Sequence, residues 1–445
     1  MPSKLMFLTT VSLVLIAAGG VSADDIHVPA DFPTIAEALA AADRFDVVVL
    51  APGTYTETHL LLPNGVSLRG ASGNPADVVC DGQGDGPIFE SLNGRERVAF
   101  HGMTFRNCVG VNGGAISLAI RQGADIIDCV FEDNTASEQG GAVYILQISA
   151  PDNQSATIVN CDFERNESGL DGGAVFALFA PLLVENCRLQ NNAAGRDGGA
   201  IFAPSRLTVI VACDFIANTA EADGGAFDGN GRCRISGSTF LDNSAVWGGG
   251  AVQIAENLID CLFRGNSSGT AGGAVLLVGE ATNCEFIDNH AGLFGGAIAS
   301  LGFGFGCLFE GNTAVDAGGA LSGPRNLESC TFRNNVAGVG GAIEITTGPN
   351  SIIDCEFDGN RATDSGGAVY GWGFVDTTLF QTCRFIANEA PIAPTGRYPD
   401  NYMVLLECCE TNTVDWLASW LEIDDTECNV ANQNMSFGGL KRIFR

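Results

Sequence analysis

Between residues 105 and 390, short apolar stretches recur with polar residues interleaved at a period of two. In SIIDCEF, Ile353, Cys355 and Phe357 fall on one face. Val159, Cys161 and Phe163 repeat the pattern, as do Ile259, Cys261 and Phe263, while Asp, Asn and Glu take the opposite face. This alternation predicts short strands with one buried face.

The strands belong to a repeat. The triplet GGA occurs eleven times, starting at residues 113, 140, 172, 198, 224, 249, 272, 295, 318, 340 and 366, and successive starts lie 22 to 32 residues apart. Upstream of nearly every triplet stands an aromatic residue followed three positions later by Asn. Phe131/Asn134, Phe163/Asn166 and Phe357/Asn360 are examples, and Leu189/Asn192 is the conservative exception. A Cys two residues before the Phe completes the unit at positions 129, 161, 187, 213, 261, 284, 307, 330, 355 and 383, with Ser238 in the same slot once.

A unit of this size, built of strands and tight corners, cannot bury its apolar face alone. Stacked on copies of itself it gives a solenoid with a continuous core. The prediction is all-β: a parallel β-helix, right-handed by the crossover rule, with equivalent side chains in ladders. Cys129, Cys161 and Cys355 are expected to form one ladder, Phe131, Phe163 and Phe357 a second, and Asn134, Asn166 and Asn360 a hydrogen-bonded third. Gly-Gly suits a sharp corner, and the Asn is expected to take up left-handed turn geometry.

Open solenoid ends need caps. PTIAEALAAADR predicts a helix entered at Pro33, with Thr34 and Glu37 as a capping box and Ile35, Ala38, Leu39 and Ala42 on one face. After Asn388 the repeat stops at Pro391, Pro394 and Pro399. VDWLASWLEI then places Val414, Leu417, Trp420 and Leu421 on one helical face of a small C-terminal cap. The expected organisation is a signal peptide at 1–23, an N-terminal cap and first coils at 24–104, repeat coils at 105–390, and a C-terminal cap and tail at 391–445. Lys4, the apolar run Leu5 to Ala18, and Val21 and Ala23 before Asp24 carry the signal-peptide reading, which implies export to the cell envelope or beyond.

The segment FPTIAEALAAADRFDVVVLAPGTYTE resembles the opening of right-handed β-helix proteins of the pectin-lyase-like superfamily. The GGA[IV] and FxxN repeats are similar to those of the chlamydial polymorphic membrane proteins and related bacterial surface proteins. Together the resemblances cover roughly residues 30 to 390 and imply a right-handed β-helix exposed outside the cytoplasm. Polymorphic membrane proteins end in a large outer-membrane β-barrel, for which too few residues follow position 390. Superfamily members also include polysaccharide lyases, hydrolases and esterases. The Asp-Asp and Gly-His-Gly motifs of polygalacturonases are absent from the coils: Asp424-Asp425 lies in the tail, and His101-Gly102 lacks the first Gly. The paired Arg motif of pectate lyases and the Gln-Asp signature of pectinesterases are missing too.

Composition narrows the partners. Asp and Glu outnumber Lys and Arg by 52 to 22, a formal net charge of −30, which repels nucleic acid and anionic membranes. The expected partner is a cell-surface glycan or protein, and no transmembrane helix is expected in the chain once the signal is removed. The unrepeated basic end, with Lys441, Arg442 and Arg445, reads as a solvated terminus. Asp171, Asp197 and Asp223 precede Gly-Gly in three consecutive repeats and should stack about 5 Å apart. Such a row needs a cation, a basic neighbour or proton uptake; calcium is the expected ion if one binds, and Arg196 is the basic neighbour at hand. No other cofactor and no catalytic residue is indicated. The sequence therefore favours a structural or adhesive β-helix, with a polysaccharide lyase or hydrolase as the alternative.

Ser238 in the Cys slot argues for thiols that fill space rather than a metal or redox array. In-register Cβ vectors also oppose the disulfide torsion. Cys408, Cys409 and Cys428 lie outside the recognised repeat and are the disulfide candidates. Alkylation under denaturing conditions without reductant should label most ladder cysteines. Labelling at only a few of them, read by mass spectrometry, would overturn the thiol assignment.

Overall fold

The computed structural model describes residues 23–148, 155–204, 207–229, 232–346, 350–371 and 378–392, together with Cys409 and short strands between 396 and 424. Nearly all of the expected signal peptide, Cys408, Cys428 and the basic tail lie outside these residues. The chain winds as a parallel β-solenoid with three faces. A front sheet of 15 strands carries the Phe residues, a narrow sheet of 11 follows each ladder Asn, and a broad sheet of 29 follows each Gly-Gly.

One coil shows the construction. Leu262–Arg264 lies in the front sheet with Phe263 inward, Ser267–Ser268 in the narrow sheet, and Val275–Thr282 in the broad sheet. Left-handed residues close the three corners: Gly265 (φ 66°), Gly272 (φ 65°) and Asn283 (φ 52°). In other coils Asp128 and Asp133, or Asn186 and Asn191, serve at the corresponding corners without glycine, as short polar side chains tolerate that region. The left-handed residue therefore precedes the ladder Asn and is not the Asn itself. The amide must point inward, so the turn falls one residue earlier. The two glycines of each triplet do different work. Gly272 adopts positive φ, whereas a Cβ on Gly273 would lie 2.1 Å from Gly296 O in the next coil. The 32-residue interval between triplets 140 and 172 has its extra length between strands Val143–Gln147 and Ala156–Val159, outside the corners.

All three ladders form. Phe rings from Phe105 through Phe163 and from Phe215 through Phe385 stack at centroid distances of 4.6 to 5.0 Å, interplanar angles 2° to 11°. That spacing is the separation of paired strands, and Leu189 is the one gap between Phe163 and Phe215. The Asn ladder runs from Asn134 through Asn166 and Asn360 to Asn388, and its members are buried. Asn243 is typical: its Nδ2 donates to Asn266 Oδ1 (3.0 Å) and Phe215 O (3.0 Å), and its backbone N–H also donates to Asn266 Oδ1 (3.0 Å).

The Cys slot has a polar task as well. Cys129, Cys161 and Cys355 donate Sγ–H to the carbonyl two residues back, each at 3.2 Å. Cys187 Sγ accepts the Cys161 N–H at 3.4 Å. Ser238 does both jobs, accepting Cys213 N–H at 3.1 Å and donating to Ser236 O at 3.0 Å. A small side chain that can donate and accept fits the slot, which explains the exchange. Burial pushes the thiols of Cys161, Cys233 and Cys383 up and keeps them protonated. Cys409 extends the row: strand register sets Arg384 beside Glu410 and so Cys409 beside Cys383, with its Sγ donating to Phe380 O at 3.3 Å. The repeat had not revealed this rung, because the FxxN and GGA signals are gone by that coil.

At the N-terminal end the helix Ile35–Ala41 seals the core with Ile35, Ala38 and Leu39. Thr34 Oγ1 accepts the Glu37 N–H at 3.2 Å, and the Glu57 carboxylate accepts the N–H groups of Ile35 and Ala36. The expected C-terminal helical face is not a helix. Leu417 lies in strand Trp416–Leu417, and Trp420 and Leu421 lie in Trp420–Asp424, which pairs in parallel with Met403–Glu407. Val414 lies outside the described residues. A short apolar run fits either period, and the open sheet edge supplies backbone partners that a helix would forgo.

Replacing Asn266 by Ala leaves two donors of Asn243 without their acceptor inside the core. The expected cost is about 3 kcal/mol, measured by denaturant unfolding; a loss below about 1 kcal/mol would show that the ladder is dispensable.

Candidate functional site

The ladders consume the repeated residues, so chemistry must come from positions that vary. The corner before Gly-Gly is the first place to look. Asp171, Asp197 and Asp223 stack there in successive coils: Gly172 N–H donates to Asp197 O (2.9 Å) and Gly198 N–H to Asp223 O (3.0 Å). Their carboxylates face different partners. Asp171 is buried and bound at both oxygens by Arg196, with Nε at 2.7 Å from Oδ1 and Nη2 on Oδ2. Arg196 Nε also lies 3.5 Å from Asp197 Oδ2. Asp197 Oδ1 accepts the Asp223 N–H at 3.1 Å. Asp223 accepts the Gly248 N–H (2.8 Å) and Gln253 Nε2 (3.1 Å) on separate oxygens.

A fourth carboxyl joins them. Register aligns Tyr144, Phe176, Phe202 and Asp228 along the outer side of the broad sheet. The first three stack with centroids 5.2 and 5.5 Å apart, presenting ring edges rather than faces. Asp228 continues the row, and its Cβ sits 3.0 Å from where a Cβ on Gly224 would be, against the Asp223 corner. Asp228 is only 5% exposed. Burial, and then the charges of Asp197, Asp223 and Asp171, push its carboxyl up to about 8, with Arg196 opposing. Asp197 is raised for the same reasons, burial foremost.

The row thus meets two of the remedies for crowded like charge: a basic neighbour at Asp171 and proton uptake at Asp228. Among the described residues no three His, Cys, Asp or Glu side chains are arranged to hold a metal ion. The stacking of the three aspartates was legible from their spacing. Asp228 was not, because the bend at Gly224-Gly225 folds residue 228 back over the corner and only sheet register sets it one strand from the Asp197 coil. Its one sequence signal is an acid standing where neighbouring repeats carry Tyr144, Phe176 and Phe202.

A second feature lies on the opposite corner. There Gly73 and Pro75 overhang a shallow depression of about 490 Å³ lined by Asp128, Asn160, Asp162 and Arg188 among others. Asp128 holds His101 Nε2 at 2.9 Å and Asn160 Nδ2 at 2.9 Å. Asp162 is raised by burial, with Arg188 opposing.

A group folded at about 8 and unfolded near the usual carboxylate value binds more protons in the native state between those limits. Asp228 therefore lowers stability as pH rises from about 4 to about 8. Asp228→Asn should raise the melting temperature at pH 8 by several degrees and leave it nearly unchanged at pH 4. An equal shift at both pH values would place the effect elsewhere.

Comparison with known proteins bears on the fold. Residues 91–267 match the family model for the right-handed beta helix region, and residues 354–371 match the Chlamydia polymorphic membrane protein repeat. No curated protein matches. Among solved structures, a PL6 alginate lyase complexed with a trisaccharide is 13% identical, covers 91% of this chain and 87% of its own, and has a TM-score of 0.43. The catalytic domain of a GH87 α-1,3-glucanase with tetrasaccharides is 11% identical over 89% of this chain and 70% of its own, TM-score 0.43. The catalytic unit of a thermostable GH87 α-1,3-glucanase from Streptomyces thermodiastaticus strain HF3-3 is 14% identical over 92% and 72%, TM-score 0.42. At these values the neighbours bear neither on activity nor on ligand. No helix among the described residues is long and apolar enough to cross a membrane. The chain is a right-handed parallel β-helix, and its residues 354–371 match a repeat of the polymorphic-membrane-protein type.

Proposed function

We propose that this chain is an exported, surface-exposed β-helix whose work is structural and adhesive. The observation that carries the reading is how the repeat is spent. Phe, Asn, Cys and Gly-Gly are all consumed by the core and corners, so the residues that recur in nearly every coil are spent on building the solenoid. What varies is the outer surface, and it is acidic. A protein with 30 excess negative charges suits cationic or neutral partners over uronate polymers. Its match to a polymorphic-membrane-protein repeat supports a place at the cell surface. The depression at Asp162 and Arg188 offers hydrogen-bonding groups to a neutral glycan.

The alternative is a polysaccharide lyase or hydrolase, and one observation favours it: convergent carboxyls beside Arg196, one of them neutral at pH 7. Glycoside hydrolysis uses such a pair across a bond. Against it, Asp171 and Asp228 are almost closed from solvent and Arg196 is engaged by Asp171. Incubating the purified chain with neutral and acidic polysaccharides, and following reducing and unsaturated ends, separates the readings. The expected result is retention on a glycan or protein surface without new ends. Turnover abolished by Asp228→Asn would replace the adhesive reading with the enzymatic one.

A further inference from the structure

The acidic corner has an unmatched side. Four carboxyl groups, Asp171, Asp197, Asp223 and Asp228, meet at this corner, and the Arg196 guanidinium beside them is bidentate on Asp171. Among the described residues Asp228 has no hydrogen-bond or ion-pair partner although it is 5% exposed. Its carboxyl oxygens are not among the fully enclosed unsatisfied atoms, so they keep a narrow contact with solvent through which a donor can reach them.

The next coil brings the backbone of an aromatic residue to within one strand of the Asp223 corner. Gly248, whose N–H binds Asp223, is preceded by Trp247, 62% exposed. The Trp247 main chain is fixed: its N–H donates to Ala222 O at 2.9 Å, and its O accepts from Thr270 N–H at 2.9 Å and Thr270 Oγ1 at 2.5 Å. Val246 in the same coil, and Leu293, Phe294 and Val315 two and three coils further on, add exposed apolar surface along the same corner. An exposed indole on a fixed backbone one strand from this acidic corner, together with one carboxyl that lacks a donor, is suited to an organic cation with an aliphatic stem.

We propose that the corner formed by Asp197, Asp223, Asp228 and Trp247 is the docking site for a lysine or arginine side chain carried by a basic segment of a partner protein. The proposal rests on the adhesive reading and gives it a partner class. A metal ion is the poorer fit. Asp171 and Asp223 already have both oxygens engaged by donors, and calcium needs six to eight oxygens closing at about 2.3–2.6 Å. An ammonium or guanidinium donates singly to whichever lone pairs face it. The apolar strip beyond Trp247 gives flanking partner residues something to cover, which a free amine would leave bare. The net charge of −30 would steer such a segment toward this surface.

The site also predicts a proton linkage. The charged groups facing Asp228 are Asp171, Asp197, Asp223 and Arg196. A cation seated there favours the ionised carboxyl, so below about 8 a proton must leave on binding and affinity weakens as the pH is lowered.

The test uses two synthetic probe peptides of equal length, one with spaced Lys and Arg among Gly and Ser, the other with Glu in their place. Binding to the purified chain is followed by calorimetry. The expected result is binding of the basic probe alone, rising from pH 6 to pH 9. Trp247→Ala should weaken it roughly 5-fold, in line with an aromatic–cation contact, and Asp223→Asn roughly 10-fold. Asp228→Asn should remove the pH dependence, and melting curves recorded alongside confirm that each variant is folded. Undiminished binding by a folded double variant, Asp197→Asn with Trp247→Ala, would overturn the site. So would calcium that binds there and expels the probe. Failure of this site is distinguishable from failure of the adhesive reading, because the double variant would still be retained on the surfaces that hold the parent chain.

Discussion

The constraint on which this molecule depends is the satisfaction of inward-facing polar backbone at its corners. A solenoid that turns three times per coil must point some N–H and C=O groups into its own core. The asparagine ladder answers this at one corner. Along the row an amide donates to the Phe carbonyl of the coil behind it, or to Leu189 O in one coil, and to the next amide, while its oxygen takes two donors from the coil behind. The interaction is repeated without a break from Asn134 to Asn388. Because each rung supplies its neighbour's acceptor, the ladder ties coils together along the axis, where side-chain packing alone would allow slippage.

The other regularities follow from the same geometry. Rings stack at the strand separation because the strands that carry them are paired in register. The Cys and Ser of the third ladder meet the polar needs of the next corner with the smallest side chains able to do so. Gly-Gly is needed where two coils approach too closely for a Cβ. Insertions are accepted only where no ladder passes, as between Gln147 and Ala156. An architecture so specified inside leaves its outside free to vary, and the acidic corner is where that freedom concentrates charge.

Much of this was legible before any coordinates. Phe131, Asn134 and Cys129 announced their ladders because identical residues at a fixed spacing have one economical explanation, stacking. Thr34 and Glu37 marked the helix because capping is local. Other features were hidden because they are not local. The left-handed residue is Asp133 or Arg165, not the Asn that follows, since the backbone turns so that the amide can enter the core. Trp420 and Leu421 fit a helical period but join a strand, because an open sheet edge outweighs a weak local preference. Cys409 became a rung through register after its motif had decayed.

The sequence by itself determined the repeat, the parallel solenoid and the residues that fill it, because periodic burial is written in the order of side chains. Tertiary structure alone decided which varied residues meet. Asp228 meets Asp223 through the bend at Gly224-Gly225, and it comes near Asp197 only because neighbouring coils stack in register. The Trp247 backbone lies one strand from the Asp223 corner only because the next coil is stacked in register. Proximity between coils is a property of the winding, and no local pattern encodes it.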